Sequence, residues 1–385
     1  MSTATYNARA AEQEHLLQVY GQFDFEPVSA SGVTISCRDG QQLLDFYGGH
    51  AVASLGYAHP DAVAAITKQA EKLFFQSNAA ALEVRAQAAN KLAAFSGMDR
   101  VFLCNSGAEA NENALRIALR KTGRGKILAL KQGFHGRTAA AGAVTWGAAD
   151  KWYGFPRTPF DVDFIPRDEP QTATAMIDDS VAAVILEPVQ GIAGAYDLDP
   201  EFVTAVADAC KAGGALLIAD EVQSGVGRCG APFAIQLFAV QPDILTTAKA
   251  LGAGFPCGAV MMSEEIAGCL AKGDLGTTFG GGPLACALIN TVLNVIARDD
   301  LIGNVNDLSQ RIQQECVIGP VTHISGKGFL LGLHCANGAK PVRDSLLEQG
   351  ILTGISDDPN VVRLLPPLTL KHDDVDRLVT ALKHC

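Results

Sequence analysis

Between about residues 100 and 262 the chain alternates short apolar runs with helical ones, and this restricts its fold more than any other feature. VFLC is followed by ENALRIALRKT, KILAL by a glycine-containing segment, and VAAVILEP by a loop and PEFVTAVADACKAG. ALLIADE, DILTTAK and GAVMM complete the series. Strands that are apolar throughout need cover on both faces, and strand–helix alternation supplies the covering helices. The expected class is α/β, with a mostly parallel sheet covered by helices. Ligands of such sheets collect beyond the carboxyl ends of the strands. Asp220, Glu187 and Lys249 all fall at or just past those ends.

The flanks differ. At 385 residues the chain exceeds one typical core. A smaller α+β domain built from both termini is therefore expected, with residues 1–50 and 283–385 in it and 51–282 in the large domain. GVTISC and QLLDF, joined by Arg38-Asp39-Gly40, predict a hairpin. Helical periodicity covers residues 61–73 and 80–95, and YGGHAVASLGYAHP holds too much glycine for a helix interior. Near the end come a helix (LACALINTVLNVIARDD), a strand-like GKGFLLGLHC and a terminal VVRLLPPLTL.

Charge and cysteine usage narrow the function. A net charge of -11 without any basic cluster argues against nucleic acid, and no apolar run is long enough to span a membrane. The start, MSTATYNARAAEQEHLL, has no apolar core and is not a secretion signal. Ten scattered cysteines with no C-x-x-C pair suit a reducing cytoplasm better than a zinc or thioredoxin-type site, so no metal is expected.

DILTTAKALGAGFPCGA carries the strongest chemical signal. Lys249 stands where a buried strand gives way to Gly252, Gly254 and Gly258. A poorly solvated amine loses its proton readily and can attack a carbonyl, although an ordinary loop lysine fits the same letters. Ser106-Gly-Ala-Glu109 has capping-box spacing, and Gly107 and Ala108 would present bare N–H groups to a phosphate at a helix N-terminus. Phe134-His135-Gly136-Arg137 offers an aromatic face and a planar cation for a carboxylate. Asp220, at the end of an apolar strand, needs a partner: either a protonated ring nitrogen or a nearby arginine such as Arg228. Gly225-Val-Gly227-Arg-Cys-Gly230 fits a dinucleotide pattern by letter, but Pro232 follows and no helix opens there, so an NAD site is rejected. An amine, a phosphate cradle, an aromatic plane, an acid and an arginine together match one cofactor, pyridoxal phosphate.

The ordered motifs LDFYGGHAVASLGYAHP, NSGAEANE, FHGR, ILEPVQG, IADEVQSGVGR, TTAKALGAGFP, GTTFGGGPLACA and VVRLLPPL also carry a family likeness over nearly the whole chain. The sequence resembles the class III pyridoxal-phosphate aminotransferases of fold type I, closest to the acetylornithine/succinylornithine branch. That resemblance implies that Lys249 is the Schiff-base lysine and proton shuttle, and that Asp220 pairs with the ring nitrogen. By it, Gln223 faces the ring hydroxyl, Val222 and Phe134 cover the two ring faces, and Ser106, Gly107 and Ala108 hold the phosphate. Thr278 of a neighbouring subunit would complete the phosphate site, which makes a homodimer the active unit. Arg137 would bind a substrate carboxylate, and Arg363 is similar to the arginine that takes the glutamate α-carboxylate.

Three positions depart from the family pattern. Ile192 replaces the loop glutamate that pairs with the counterpart of Arg363. Gly282 replaces an asparagine, and His50 stands where relatives carry an apolar residue, either lining the substrate end of the pocket or simply packed. The implied reaction moves the terminal amine of N²-acetylornithine, or a similar acylated diamino acid, to 2-oxoglutarate. Ornithine, 4-aminobutyrate or carrier-bound lysine as donor, or an aminomutase reaction, are the alternatives.

Overall fold

The computed structural model describes residues 7–385; the first six residues of the N-terminal segment lie outside the described part. Seven strands form the central sheet, in the order Arg100–Cys104, Gly258–Met262, Ile244–Thr247, Leu216–Asp220, Val181–Leu186, Lys126–Leu130, Asp161–Ile165. All pairings are parallel except the two made by Gly258–Met262. The mixed α/β class with a large, mostly parallel sheet is thus the one the strand pattern called for.

Period-two alternation explains why the strands are apolar throughout. Ile218, Ile185 and Ile127 pack with Ala114, Leu115 and Ala118 of helix Gly107–Thr122 on one face. Leu217, Ala219, Val184 and Leu186 pack with Phe202, Val203 and Val206 of helix Pro200–Gly213 on the other. A side chain on either face is removed from water, and each fully buried leucine or isoleucine contributes about 1.5–3 kcal/mol.

Two smaller sheets flank this layer. The RDG turn joins Thr34–Cys37 to Gln42–Asp45 as an antiparallel hairpin, and Ile351–Leu352 from the far end of the chain pairs parallel beside it. The other sheet has the order Val321–Lys327, Leu330–Cys335, Val361–Leu364, Gly354–Ile355. GKGFLLGLHC is therefore a hairpin rather than one strand. Gly328 turns it at φ 55°, where a Cβ would come within 2.5 Å of the Arg228 carbonyl oxygen. The helix expected over 80–95 starts later, at Glu83–Ser96, after a turn. YGGHAV makes one left-handed turn, with Gly48, Gly49, His50 and Ala51 all at φ between 55° and 67°. Gly225, Gly227 and Gly230 of the dinucleotide-like stretch lie in successive turns, and Arg228 within them is fully buried, donating to the carbonyls of Phe329 and Pro366.

Candidate active site

The carboxyl ends of Leu216–Asp220, Val181–Leu186 and Ile244–Thr247 open onto one cavity of about 450 Å³. It is lined by Ser106, Gly107, Ala108, Phe134, Arg137, Ile192, Asp220, Val222, Gln223 and Lys249, together with Asn111, His135 and Glu187. Arg363 is outside that lining but touches it, with Nη1 3.5 Å from Gln223 Oε1. His50 and Thr278 are both exposed and do not line the cavity. Tyr47 Oη lies 2.6 Å from Nδ1 of His50; although the residue's surface reaches solvent, partial desolvation of the ring and the charges of Arg363 and Lys249 lower its pKa.

Asp220 is held from two sides. Asn111 Nδ2 donates to its Oδ2 at 2.7 Å, and His135 Nδ1 approaches the same oxygen at 2.7 Å. Because the carboxylate only accepts, Nδ1 must carry the imidazole proton. Asn111 also donates to the His135 carbonyl at 2.7 Å and accepts from Thr246 Oγ1 at 2.7 Å. The arginine alternative for Asp220 is overturned, since the Arg228 guanidinium points to carbonyls of the smaller sheet instead. Asn111 was not singled out from the sequence. The sequence signal was its spacing, three and four positions before Ala114 and Leu115, which puts it on the helix face that the structure buries, with Asn111 1% exposed.

The phosphate-sized end is built by helix Gly107–Thr122. Ser106 caps it, its Oγ accepting from Glu109 N–H at 3.1 Å. The reciprocal half of the capping box is shifted by one residue: Glu109 accepts from the N–H and the side-chain amide of Asn105 at 2.8 and 2.9 Å. Gly107 and Ala108 N–H groups make no hydrogen bond among the described residues, and they sit at the positive end of a 16-residue helix. Gly107 has to be glycine, because a Cβ would lie 2.6 Å from Val222 Cγ1. Gly258 is similarly tight, with the Ser106 carbonyl oxygen 2.7 Å from any Cβ.

Lys249 follows the strand Ile244–Thr247 with a left-handed φ of 40°. Burial pushes its ammonium pKa down, Asp220 and Glu187 oppose that shift, and Arg363 adds to it. Glu187 accepts from Phe134 N–H at 2.9 Å and Gly191 N–H at 3.3 Å, and burial raises its carboxyl to about 7. At the rim the Arg137 guanidinium lies 4.5 Å over the Trp152 ring and 5.9 Å from that of Phe134. Arg363, 5% exposed, donates to the carbonyls of Ile355 and Gly191 at 2.9 and 3.2 Å.

The residues present fit pyridoxal phosphate: free helix N–H groups for the phosphate, flat walls at Val222 and Phe134, a fixed carboxylate and a half-buried amine in one cavity. Comparison with known proteins gives the same answer. The family model "Aminotransferase class-III" matches residues 18–385. The chain belongs to the class III aminotransferases. Among its relatives are the acetylornithine aminotransferases of Bacillus subtilis (strain 168), 39% identical over 96% of both chains, and of Streptomyces coelicolor, 40% identical over 96% of this chain and 93% of that one. The acetylornithine aminotransferase structure from Elizabethkingia anophelis superposes with a TM-score of 0.87 at 29% identity, covering 98% of this chain and 97% of that one. This member is accordingly a pyridoxal-phosphate-dependent transaminase of the same fold.

Proposed function

We propose that this transaminase takes the terminal amino group of N²-acetylornithine, or of a similarly acylated diamino acid, and passes it to 2-oxoglutarate. A semialdehyde and glutamate are the products. The observation that carries the reading is the layout of two arginines. Arg137 is exposed at the cavity rim against Trp152, whereas Arg363 is buried beside Gln223. A long donor needs a carboxylate anchor far from its reacting amine, and a 2-keto acid needs one next to its reacting carbonyl. The relatives in Bacillus subtilis and Methanocaldococcus jannaschii, both acetylornithine aminotransferases, support the donor.

This reading gives each residue a part. Ser106, Gly107 and Ala108 would hold the phosphate, completed by Thr278 of the partner subunit. Val222 and Phe134 would cover the ring faces, and Gln223 would meet the ring hydroxyl. Asp220, fixed by His135 and Asn111, would face the ring nitrogen. When bound, pyridoxal phosphate supplies an electron sink for the pair left on the substrate carbon as its proton departs. Lys249 Nζ, whose ammonium pKa burial lowers, would take that proton from the substrate carbon and deliver it to the cofactor's C4′. Arg137 orients the donor by its α-carboxylate and Arg363 orients 2-oxoglutarate. Ile192 and His50 shape the substrate end.

The active unit in this reading is a homodimer. Phe74, Phe75 and Phe279 are 69%, 42% and 66% exposed, and they line an apolar hollow that shares Asn105, Phe255 and Pro256 with the active-site cavity. A cytoplasmic setting is supported by ten free cysteines, eight of them buried. No described helix is long and apolar enough to cross a membrane. The division into 1–50, 51–282 and 283–385 is supported by the pairing of Ile351 with Leu44, which joins the two ends of the chain.

The test is spectroscopic. Candidate donors are added singly to the yellow holoenzyme without keto acid. Bleaching by N²-acetylornithine, with little change from ornithine or 4-aminobutyrate, is expected. Bleaching only by another donor replaces the substrate. Turnover that needs no keto acid points to an aminomutase.

A further inference from the structure

Arg363 is more than nine-tenths buried, yet every acceptor it meets is neutral. Nε donates to the Ile355 carbonyl at 2.9 Å, and Nη1 to the Gly191 carbonyl at 3.2 Å and to Gln223 Oε1 at 3.5 Å. Nη2 makes no hydrogen bond among the described residues, and no carboxylate there lies within 4.0 Å of the guanidinium. The carboxylates whose charge reaches it from farther off are Glu187 and Asp357, and Asp357 is exposed to solvent. The cavity wall leading from it is Ile192, an apolar residue with no charge to offer. A buried cation without a counter-ion costs several kcal/mol, so this guanidinium is short of one anion.

The two half-reactions treat that deficit differently, and the inference rests on the donor assignment above. 2-Oxoglutarate carries a carboxylate on the atom next to its reacting carbonyl and can pair with Arg363. In N²-acetylornithine the atom next to the reacting CH₂–NH₂ is a methylene, and its only carboxylate goes to Arg137. During the donor half-reaction Arg363 is left facing hydrocarbon.

We propose that a small monoanion, best a planar carboxylate such as acetate or formate, occupies the Arg363 site beside the bound donor and leaves when 2-oxoglutarate enters. A planar carboxylate suits the site because the guanidinium fork binds two oxygens at once. The same anion then has opposite effects on the two halves of the cycle. It supports the donor half by neutralising a buried charge, and it competes with the keto acid in the other half. Ile192→Glu would supply a tethered carboxylate in place of the free one.

The experiment measures single-turnover bleaching of holoenzyme by N²-acetylornithine, and recovery of the yellow form when the amino form reacts with 2-oxoglutarate. Both run against acetate, at an ionic strength held by a bulky sulfonate. Acetate is expected to speed or tighten the donor half saturably by about tenfold, the scale of one charged hydrogen bond, and to inhibit recovery competitively. Ile192→Glu is expected to lose the donor-half response. As a readout independent of turnover, acetate should raise the melting temperature of the wild type and not of Ile192→Glu. Equal-sign or absent effects in the wild type overturn the proposal, and so does an Ile192→Glu protein as sensitive as the wild type. If that variant does not fold, the opposed signs in the wild type decide. If N²-acetylornithine fails to react at any acetate concentration, the donor assignment falls, and the anion site is read with 5-aminovalerate, which has the same reacting end.

Discussion

Gly107→Ala tests the cofactor site by one methyl group. The added Cβ would stand 2.6 Å from Val222 Cγ1 and 2.9 Å from Cγ2, well inside van der Waals contact. Helix Gly107–Thr122 is anchored in the sheet by Ala110, Ala114, Leu115 and Ala118, all 0% exposed, so it cannot retreat. Val222 is half-buried and lines the cavity, so it is the side that moves, toward the space the ring would occupy. Overpacking of this kind costs about 1–3 kcal/mol. If that cost falls on the cofactor-bound state, affinity drops by about 5- to 150-fold, since 1.4 kcal/mol is tenfold. Titration of apoenzyme with pyridoxal phosphate, followed by absorbance, reads this directly. Val222→Ala removes both clashing methyls, so Gly107→Ala/Val222→Ala should recover most of the loss relative to Val222→Ala alone. Full affinity in the single variant, or additive losses in the double, would refute the assignment of Val222 and Gly107 to one ring-facing wall.

Glu221 accepts from Ser224 Oγ at 2.6 Å and Ile235 N–H at 2.6 Å, and burial raises its carboxyl from 4.5 to about 7. A raised folded-state pKa means stability that is full below the unfolded value and lost as pH rises through the folded one. Glu221→Gln keeps an acceptor for Ile235 and a donor for the Ser224 hydroxyl, so its gain over wild type should grow between pH 5 and 8 by about 1–3 kcal/mol, read from melting curves. Gly282 begins helix Pro283–Arg298 at an ordinary φ of -62° with no side-chain cap. Gly282→Asn should therefore add a few tenths of a kcal/mol of stability in melting curves; a loss instead would show that the 3.0 Å contact between its Cβ and the Phe279 carbonyl outweighs the cap. Thr278→Ala should weaken pyridoxal phosphate binding by about tenfold although Thr278 does not line its own subunit's cavity; unchanged affinity would remove it from the site.

What was legible in the sequence and what was not divide along a physical line. Strand–helix alternation dictates a covered parallel sheet because backbone pairing and burial act locally, and Val181–Leu186 or Leu216–Asp220 could be read from their letters. Residues at strand ends and helix caps were readable for the same reason: Asp220, Lys249 and Ser106 are positioned by their own elements. Asn111, His135 and Glu187 were not readable as a network, since their partners lie 109, 85 and 53 residues away in the chain. No periodicity encodes such a contact. Arg228 shows the converse error: eight residues from Asp220 it looked like a partner, but turns carry it under the smaller sheet to the Phe329 and Pro366 carbonyls. Proximity in sequence is strong evidence inside a helix or strand and weak evidence across a glycine-rich turn, where each left-handed residue redirects the chain. Gly227 and Gly230, at φ 84° and 83°, do this between Asp220 and Pro232. The same reasoning gives Ile192 its weight. Its neighbour Gly191 touches Arg363 through a carbonyl across 172 residues. A single-letter change in the loop therefore alters the charge balance of an arginine that local pattern alone would never connect to it.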